Sequence, residues 1–316
     1  MKKISILVPC YNETENVEPM SSALLKLFNT ELNKYDYEII FIDNASSDGT
    51  KNKLINICNN NKKIKAIFNV ANFGQFNSPF YGLMQTSGDC TVLLCCDFQD
   101  PLEMIPILIK KWEEGHRIVI AQKSSSLENP IMYFLRSMYY DLIKKMSSVN
   151  IIEHFTGFGV YDKTFINLLK NLNESKPFLR GIVSEYCEGF NYTIVEYKQN
   201  KRRSGKTHNN FFSLYDAAML SFTTYTKAGL RLFTFFGFLV SGISFLIGLF
   251  YLVYKLVMWD RFTLGLAPLT VAVFFIGGCI LIFLGLIGEY ILTINSRVMD
   301  RPLVIEEERI NFDNKN

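Results

Sequence analysis

Short apolar runs alternate with longer amphipathic stretches along the first 122 residues. Residues 4–9, 37–43, 64–69, 91–96 and 117–122 form near-continuous apolar runs, as strands buried on both faces require. Between them, residues 15–32, 51–60, 76–86 and 101–114 carry apolar positions at helical spacing. The alternation predicts a mostly parallel sheet with helices on both faces.

Residues 123–210 are less regular. The spacing predicts helices over 130–146, 161–172 and 178–190 and a strand over 192–197, with Gly157 and Gly159 marking a turn. Residues 198–210 read as a polar, basic loop. The segment 211–228 is apolar on much of its surface, with Phe211, Phe212, Leu214, Tyr215, Met219, Leu220 and Phe222. It reads as a helix lying in a membrane interface, with an ordinary core helix as the alternative.

Residues 232–254 and 262–288 contain no charged side chain. Each run exceeds the roughly 20 residues that cross a bilayer as a helix. The link between them is short, so an antiparallel hairpin is expected. Lys201, Arg202, Arg203, Lys206, Lys227 and Arg231 precede the first span, and Arg297 and Arg301 follow the second. The link carries only Lys255 and Arg261. This bias puts both termini on the cytoplasmic side. The expected organisation is a catalytic domain over 1–210, a juxtamembrane helix over 211–230, two transmembrane helices within 231–295 (about 232–254 and 264–290), and a short charged tail over 296–316. The apolar run after Lys2 and Lys3 is too short for a secretory signal and reads as the first strand.

The net charge is only +3, and no basic patch is interleaved with aromatic residues, which argues against nucleic acid as a partner. The cations cluster beside the spans and suit anionic headgroups or phosphates. The seven cysteines include no C-x-x-C pair, so reduced, mostly buried thiols are expected.

Polar residues gather just after the predicted strands. The strand over 91–96 ends in Asp97, Gln99 and Asp100, followed by Pro101. Carboxylates at the C-terminal end of a strand lie where an open α/β sheet places its ligand. Hard oxygen groups there suit a divalent metal holding a phosphate. Asp100 before Pro101 is also a helix-capping pair. After the first strand, Tyr11 can pack on a base or ribose, and Glu13 can accept from sugar hydroxyls. After the second, Asp43 can accept from the N–H of a base edge, while Asp48 reads as a helix cap.

Together the strand ends read V-P-x-Y-N-E (8–13), I-D-x-x-S-x-D-x-T (42–50), N-F-G (72–74) and D-x-Q-D-P (97–101). This series resembles family 2 glycosyltransferases acting on nucleotide-diphospho-sugars. With the two spans, Gly288-Glu289-Tyr290 and Arg301-Pro302, residues 3–308 resemble the polyisoprenyl-phosphate glycosyltransferases. That group holds the dolichyl-phosphate mannose synthases and the bacterial undecaprenyl-phosphate glucosyltransferases.

The resemblance implies a GT-A fold, a nucleotide-sugar donor (UDP-hexose by likeness to the bacterial members), Mg²⁺ or Mn²⁺, and a polyisoprenyl phosphate acceptor. It implies a multi-pass protein of the bacterial inner membrane and allows a homo-oligomer. Donor-binding positions fall on Pro9, Tyr11, Glu13, Asp43, Asn72, Gly74 and Asp97, and metal-binding positions on Asp97 and Gln99. Catalytic roles fall on Asp97, Asp100 and Arg203. Arg203, Arg180, Lys123 and Arg136 are the acceptor-phosphate positions, since cationic side chains bind phosphate well.

The chain departs from the family pattern in three places. Cys95 stands where a D-x-D motif begins with aspartate, and Asn44 replaces a frequent second aspartate. Thr156-Gly157-Phe158-Gly159 lacks the family's aspartate and arginine. Residues 199–203 lack the tryptophan of the Q-x-x-R-W motif of processive polysaccharide synthases, which argues against a processive synthase. A same-fold transferase with another acceptor, or a non-catalytic nucleotide-sugar-binding membrane protein, is the alternative reading.

Overall fold

The apolar runs form strands because their side chains alternate between two buried layers. Ile4, Ile6 and Val8 enter one core while Leu7 enters the other; Ile39 and Phe41 are likewise opposed by Ile40 and Ile42. The computed structural model describes residues 1–125, 149, 151–172, 174–205, 211–225, 228–257, 266–299 and 301–312. The predicted helix over 130–146 lies outside the described residues.

The elements run β1 (Lys3–Cys10), α1 (Val17–Thr30), β2 (Asp36–Asp43), α2 (Thr50–Asn60), β3 (Ile64–Asn69), α3 (Gly74–Met84), β4 (Cys90–Leu93), α4 (Met104–Glu113), β5 (Ile118–Ser125) and β6 (Phe155–Asp162). Then follow α5 (Lys163–Asn171), α6 (Leu179–Tyr186), β7 (Tyr192–Lys198), α7 (Phe211–Tyr225), α8 (Ala228–Val257), α9 (Leu266–Val298) and β8 (Glu306–Ile310). One sheet has the order β7-β5-β6-β4-β1-β2-β3-β8. Only β6 and β8 run against the others. Side chains of α1, α2 and α4 fill the core on one face, and those of α3, α5 and α6 fill the core on the other.

Three expectations are corrected. Gly157 and Gly159 lie inside strand β6, not in a turn. A Cβ on Gly159 would meet the Val119 carbonyl oxygen at 2.4 Å, so the close approach of β5 excludes any larger residue. The run 91–96 leaves the sheet after Leu93, and Cys95 is exposed rather than buried in a strand. The charged tail supplies β8, which pairs antiparallel with β3. Its burial does not alternate: Glu307 and Glu308 are exposed, as suits an edge strand, while Glu306 accepts from Tyr81 at 2.9 Å.

Helix α7 is held on two sides. Tyr225 packs so closely on α6 that a Cβ on Gly181 would lie 2.2 Å from its ring. Tyr215 donates to Glu289 Oε1 of α9 at 3.1 Å, and Thr223 and Thr293 share a hydrogen bond of 3.1 Å. Among the described residues one stretch, Phe275–Asn295 of α9, is long and apolar enough to cross a membrane, with a mean hydropathy of 2.2 and none of its most apolar window buried. Helix α8 carries the shorter apolar stretch Thr234–Ile247. The two helices face each other across an apolar cavity of about 230 Å³ lined by Phe236, Val240, Ile276 and Phe283.

Candidate active site

Parallel strands bring their C-terminal ends to one edge of the sheet. There the segments 11–16, 43–50, 69–74, 94–100 and 199–205 meet. Three of these loops hold a non-glycine residue in the left-handed region: Asn12 at φ 55°, Ala45 at φ 61° and Phe98 at φ 62°. Such conformations cost on the order of 1–3 kcal/mol each and concentrate at functional sites.

Hydrogen bonds lace the loops after β1 and β2 together. Asn12 N–H donates to Ser46 Oγ at 2.8 Å, Ser47 N–H to Asn12 Oδ1 at 2.8 Å, and Glu13 N–H to Thr50 Oγ1 at 3.0 Å. Asp43 is buried and accepts from both the Ser46 amide, at 3.1 Å, and its hydroxyl, at 2.5 Å. Burial raises its pKa despite these donors. Asp48 accepts from Thr50 N–H and Thr14 N–H one residue before the N-cap, Gly49, so it ties the start of α2 to the loop after β1 rather than capping the helix as its position predicts. Pro9 and Tyr11 are half-buried beside these loops.

Asn44 is the hub of the next corner. Its amide donates to Asn72 Oδ1 at 2.8 Å and Gly74 O at 3.3 Å, and its oxygen accepts from Asn69 and Phe73 N–H. An aspartate there would lose the two donated bonds. Asn72 and Gly74 are exposed, and Gly74 has φ 86°, a conformation that favours glycine.

The loop after β4 supplies the acids. Asp97 is 6% exposed, and its Oδ1 accepts from Gln99 N–H at 3.1 Å. Asp100 is buried behind it, where Tyr197 of β7 donates to Oδ1 at 2.5 Å. Burial raises the Asp100 pKa against the Tyr197 bond. Asp100 therefore braces the loop from inside rather than facing the open edge.

Arg202, rather than the Arg203 that the family resemblance points to, closes the site. Its guanidinium lies 3.1 Å from Glu13 Oε1 and 2.9 Å from Asp97 Oδ2, joining the ends of β1 and β4. Adjacent cations in a loop carry no signal in sequence to say which one turns inward. Arg203 stacks instead on Phe98, 5.2 Å from the ring centre. Burial raises the Glu13 pKa, opposed by Asn16 and Arg202 and reinforced by Asp97.

The other predicted phosphate ligands are scattered. Lys123 lies on β5, close enough to Asp100 to offset part of the rise that burial gives its pKa. Arg180 lies on α6 and stacks on Phe178 at 5.2 Å. Arg136 lies outside the described residues. A cavity of about 790 Å³ sits between α6 and strands β5 and β7, but Glu153, Glu185 and Glu188 line it, which does not suit an anionic ligand.

Among the described residues no three metal-ligating side chains cluster. A divalent ion held by one or two carboxylates plus substrate phosphates needs fewer. The Arg202 guanidinium stands between Glu13 and Asp97, so the carboxylate of Asp97 sits in a corner that accepts a cation.

Residues 5–167 match the family described as glycosyl transferase family 2. The chain belongs to glycosyltransferase family 2. Bactoprenol glucosyl transferase of Shigella phage SfII is 33% identical over 304 residues, covering 96% of this chain and 97% of that protein. An uncharacterized glycosyltransferase of Synechocystis sp. is 32% identical over 304 residues, 96% of this chain and 94% of that protein. The solved structure of glucosyl-3-phosphoglycerate synthase from Mycobacterium tuberculosis, in complex with Mn²⁺, UDP and phosphoglyceric acid, has a TM-score of 0.50 at 17% identity. It covers 71% of this chain and 77% of that one, and shares the fold. The protein is thus a glycosyltransferase with a GT-A-like fold.

Proposed function

We propose that this glycosyltransferase moves one hexose from a nucleotide diphosphate, UDP by preference, to a polyisoprenyl phosphate such as undecaprenyl phosphate at the cytoplasmic leaflet of the inner membrane. The observation that carries this reading is the similarity to a bactoprenol glucosyl transferase across 96% of the chain, beyond the sheet and through the apolar helices.

The chain path supports a two-pass topology. The sheet precedes α8 and, through β8, also follows α9. If α9 crosses the bilayer, α8 crosses it too, because both ends return to one domain. No part of the most apolar window of α9 is buried in protein, which fits contact with lipid.

The chemistry needs little proton transfer. A lipid monophosphate has a second pKa near about 6, so it is largely ionised at neutral pH and needs no general base. The demanding tasks are alignment and neutralising the departing diphosphate. A divalent ion, Mg²⁺ or Mn²⁺, held by Asp97 and Gln99, supplies charge for that leaving group when bound. Pro9, Tyr11, Glu13, Asp43, Asn72 and Gly74 hold the nucleotide and sugar. Arg203, on the loop beside Asp97, pairs with the acceptor phosphate, with Lys123 nearby on β5. Asp100 positions the Asp97 loop. Attack at C1 from the face opposite the diphosphate inverts the anomeric centre.

The test is a panel of UDP- and GDP-sugars supplied to the purified protein with undecaprenyl phosphate and Mg²⁺ or Mn²⁺. A lipid-extractable sugar from one donor is expected. No lipid-linked sugar from any donor would contradict the reading.

A further inference from the structure

The loop after β7 is fastened across the acids at five points. Asn200 N–H donates to Gln99 O at 2.9 Å, and Arg203 N–H donates to Asp97 O at 3.2 Å. Ser204 Oγ donates to Asn16 Oδ1 at 2.7 Å, and Asn16 Nδ2 reaches back to Ser204 O at 3.4 Å. Arg202 completes the closure through its two ion pairs, at 3.1 Å to Glu13 and 2.9 Å to Asp97. Asn16 also donates to Glu13 Oε2 at 2.5 Å, so one small network joins the loop, the start of α1 and the acids.

Both carboxylates are almost out of water, with side chains 10% and 8% exposed. Two such acids side by side repel each other strongly unless a cation stands between them. Arg202 is that cation. A divalent ion on Asp97 would face the guanidinium as a like charge in a poorly screened corner, and the two would repel. The donor diphosphate changes the balance, because its negative charge gives both cations a partner.

We infer that Arg202 is a built-in counter-cation: it holds the 199–205 loop shut on Glu13 and Asp97, competes with a divalent ion for that corner, and yields to it when the donor arrives. This rests on the assignment of Asp97 to the metal under the proposed function. It assigns Arg202 a positioning role distinct from the phosphate contact given to Arg203. Binding of metal is thereby coupled to binding of donor, and the resting enzyme keeps its acids neutralised.

The experiment titrates Mn²⁺ without nucleotide into the full-length protein in detergent, reading free Mn²⁺ by electron paramagnetic resonance. Arg202→Gln is expected to bind Mn²⁺ about tenfold more tightly than the unaltered protein, or tighter still. Ser204→Ala keeps Arg202 but removes one fastening of the loop. It is expected to move the affinity the same way by about threefold and has no buried charge to unbalance the fold. Equal affinities in all three proteins overturn the inference, as does weaker binding in Arg202→Gln. Sugar transfer measured on the unaltered protein separates the two claims. Transfer with equal affinities removes only the role of Arg202, whereas no transfer from any donor removes the function beneath it.

Discussion

Tyr197 donates to Asp100 at 2.5 Å across 97 positions of sequence, joining β7 to the loop that presents Asp97. Asp100 is 3% exposed, and Tyr197 is 4% exposed. Burial, followed by the facing carboxylate, raises the Tyr197 pKa, so the phenol keeps its proton and remains the donor. Tyr197→Phe leaves a buried carboxyl without this partner, which costs about 1–3 kcal/mol. Thermal unfolding is expected at a lower temperature, and kcat is expected to fall because the Asp97 loop loses its brace. Unchanged stability would contradict the bracing role.

Asp97→Asn tests the acid proposed to hold the metal. Changing a residue one shell out from a metal typically costs about 10–100-fold in affinity or activity, so loss of the ligand itself is expected to exceed about a hundredfold. The fold should survive, since asparagine still accepts from Gln99 N–H. Transfer rate and circular dichroism measured together check both halves.

Glu38 supports a different prediction, at the opposite end of the sheet. It is buried, and burial alone would raise its pKa. Lys65 at 2.8 Å, Ser5, the Ser87 amide and Lys3 at 3.1 Å overcome that effect and hold it down to about 2. A depressed carboxylate stabilises the fold fully above its unfolded pKa, and that contribution disappears as pH falls through the folded one. Stability is therefore expected to drop between about pH 4.5 and about pH 2 by about 3 kcal/mol from this group. Glu38→Gln should flatten that part of the pH–stability curve and lower the plateau above it. Denaturant unfolding across this range makes the measurement.

Gly159→Ala probes why one strand escaped sequence reading. The added methyl would sit 2.4 Å from the Val119 carbonyl oxygen, which backbone cannot easily yield. A loss of about 1–3 kcal/mol is expected by overpacking, read as a lower melting temperature.

That glycine shows where pattern reading succeeds and fails. The strands β1 to β5 were legible because both faces of the sheet are covered, leaving long apolar runs. The strand ends were legible because acids and amides interrupt those runs abruptly, as at Asp43 and Asp97. Strand β6 is hidden: Gly159 answers to the backbone of a neighbouring strand, a non-local cause that looks like a turn in sequence. Strand β8 was hidden because Glu306, Glu307 and Glu308 sit on an edge, where charge is useful and apolar alternation is absent. In the candidate site, the acids stand out in sequence, but their partners do not. Arg202 reaches Glu13 across 189 positions, and only the fold of the 199–205 loop decides that it, rather than Arg203, turns inward. Asn44 looks like a lost acid in sequence, yet its amide organises the turn that carries Asn72 and Gly74.

The proposed reaction rests on an acceptor that arrives already ionised, so the decisive comparison is between undecaprenyl phosphate and undecaprenol. Both are offered to the purified protein with the labelled donor that the panel selects. The expected result is a β-linked glycosyl phosphate lipid from the phosphate and no product from the alcohol. Equal transfer to the alcohol, or transfer to neither lipid while the donor is consumed, would contradict it.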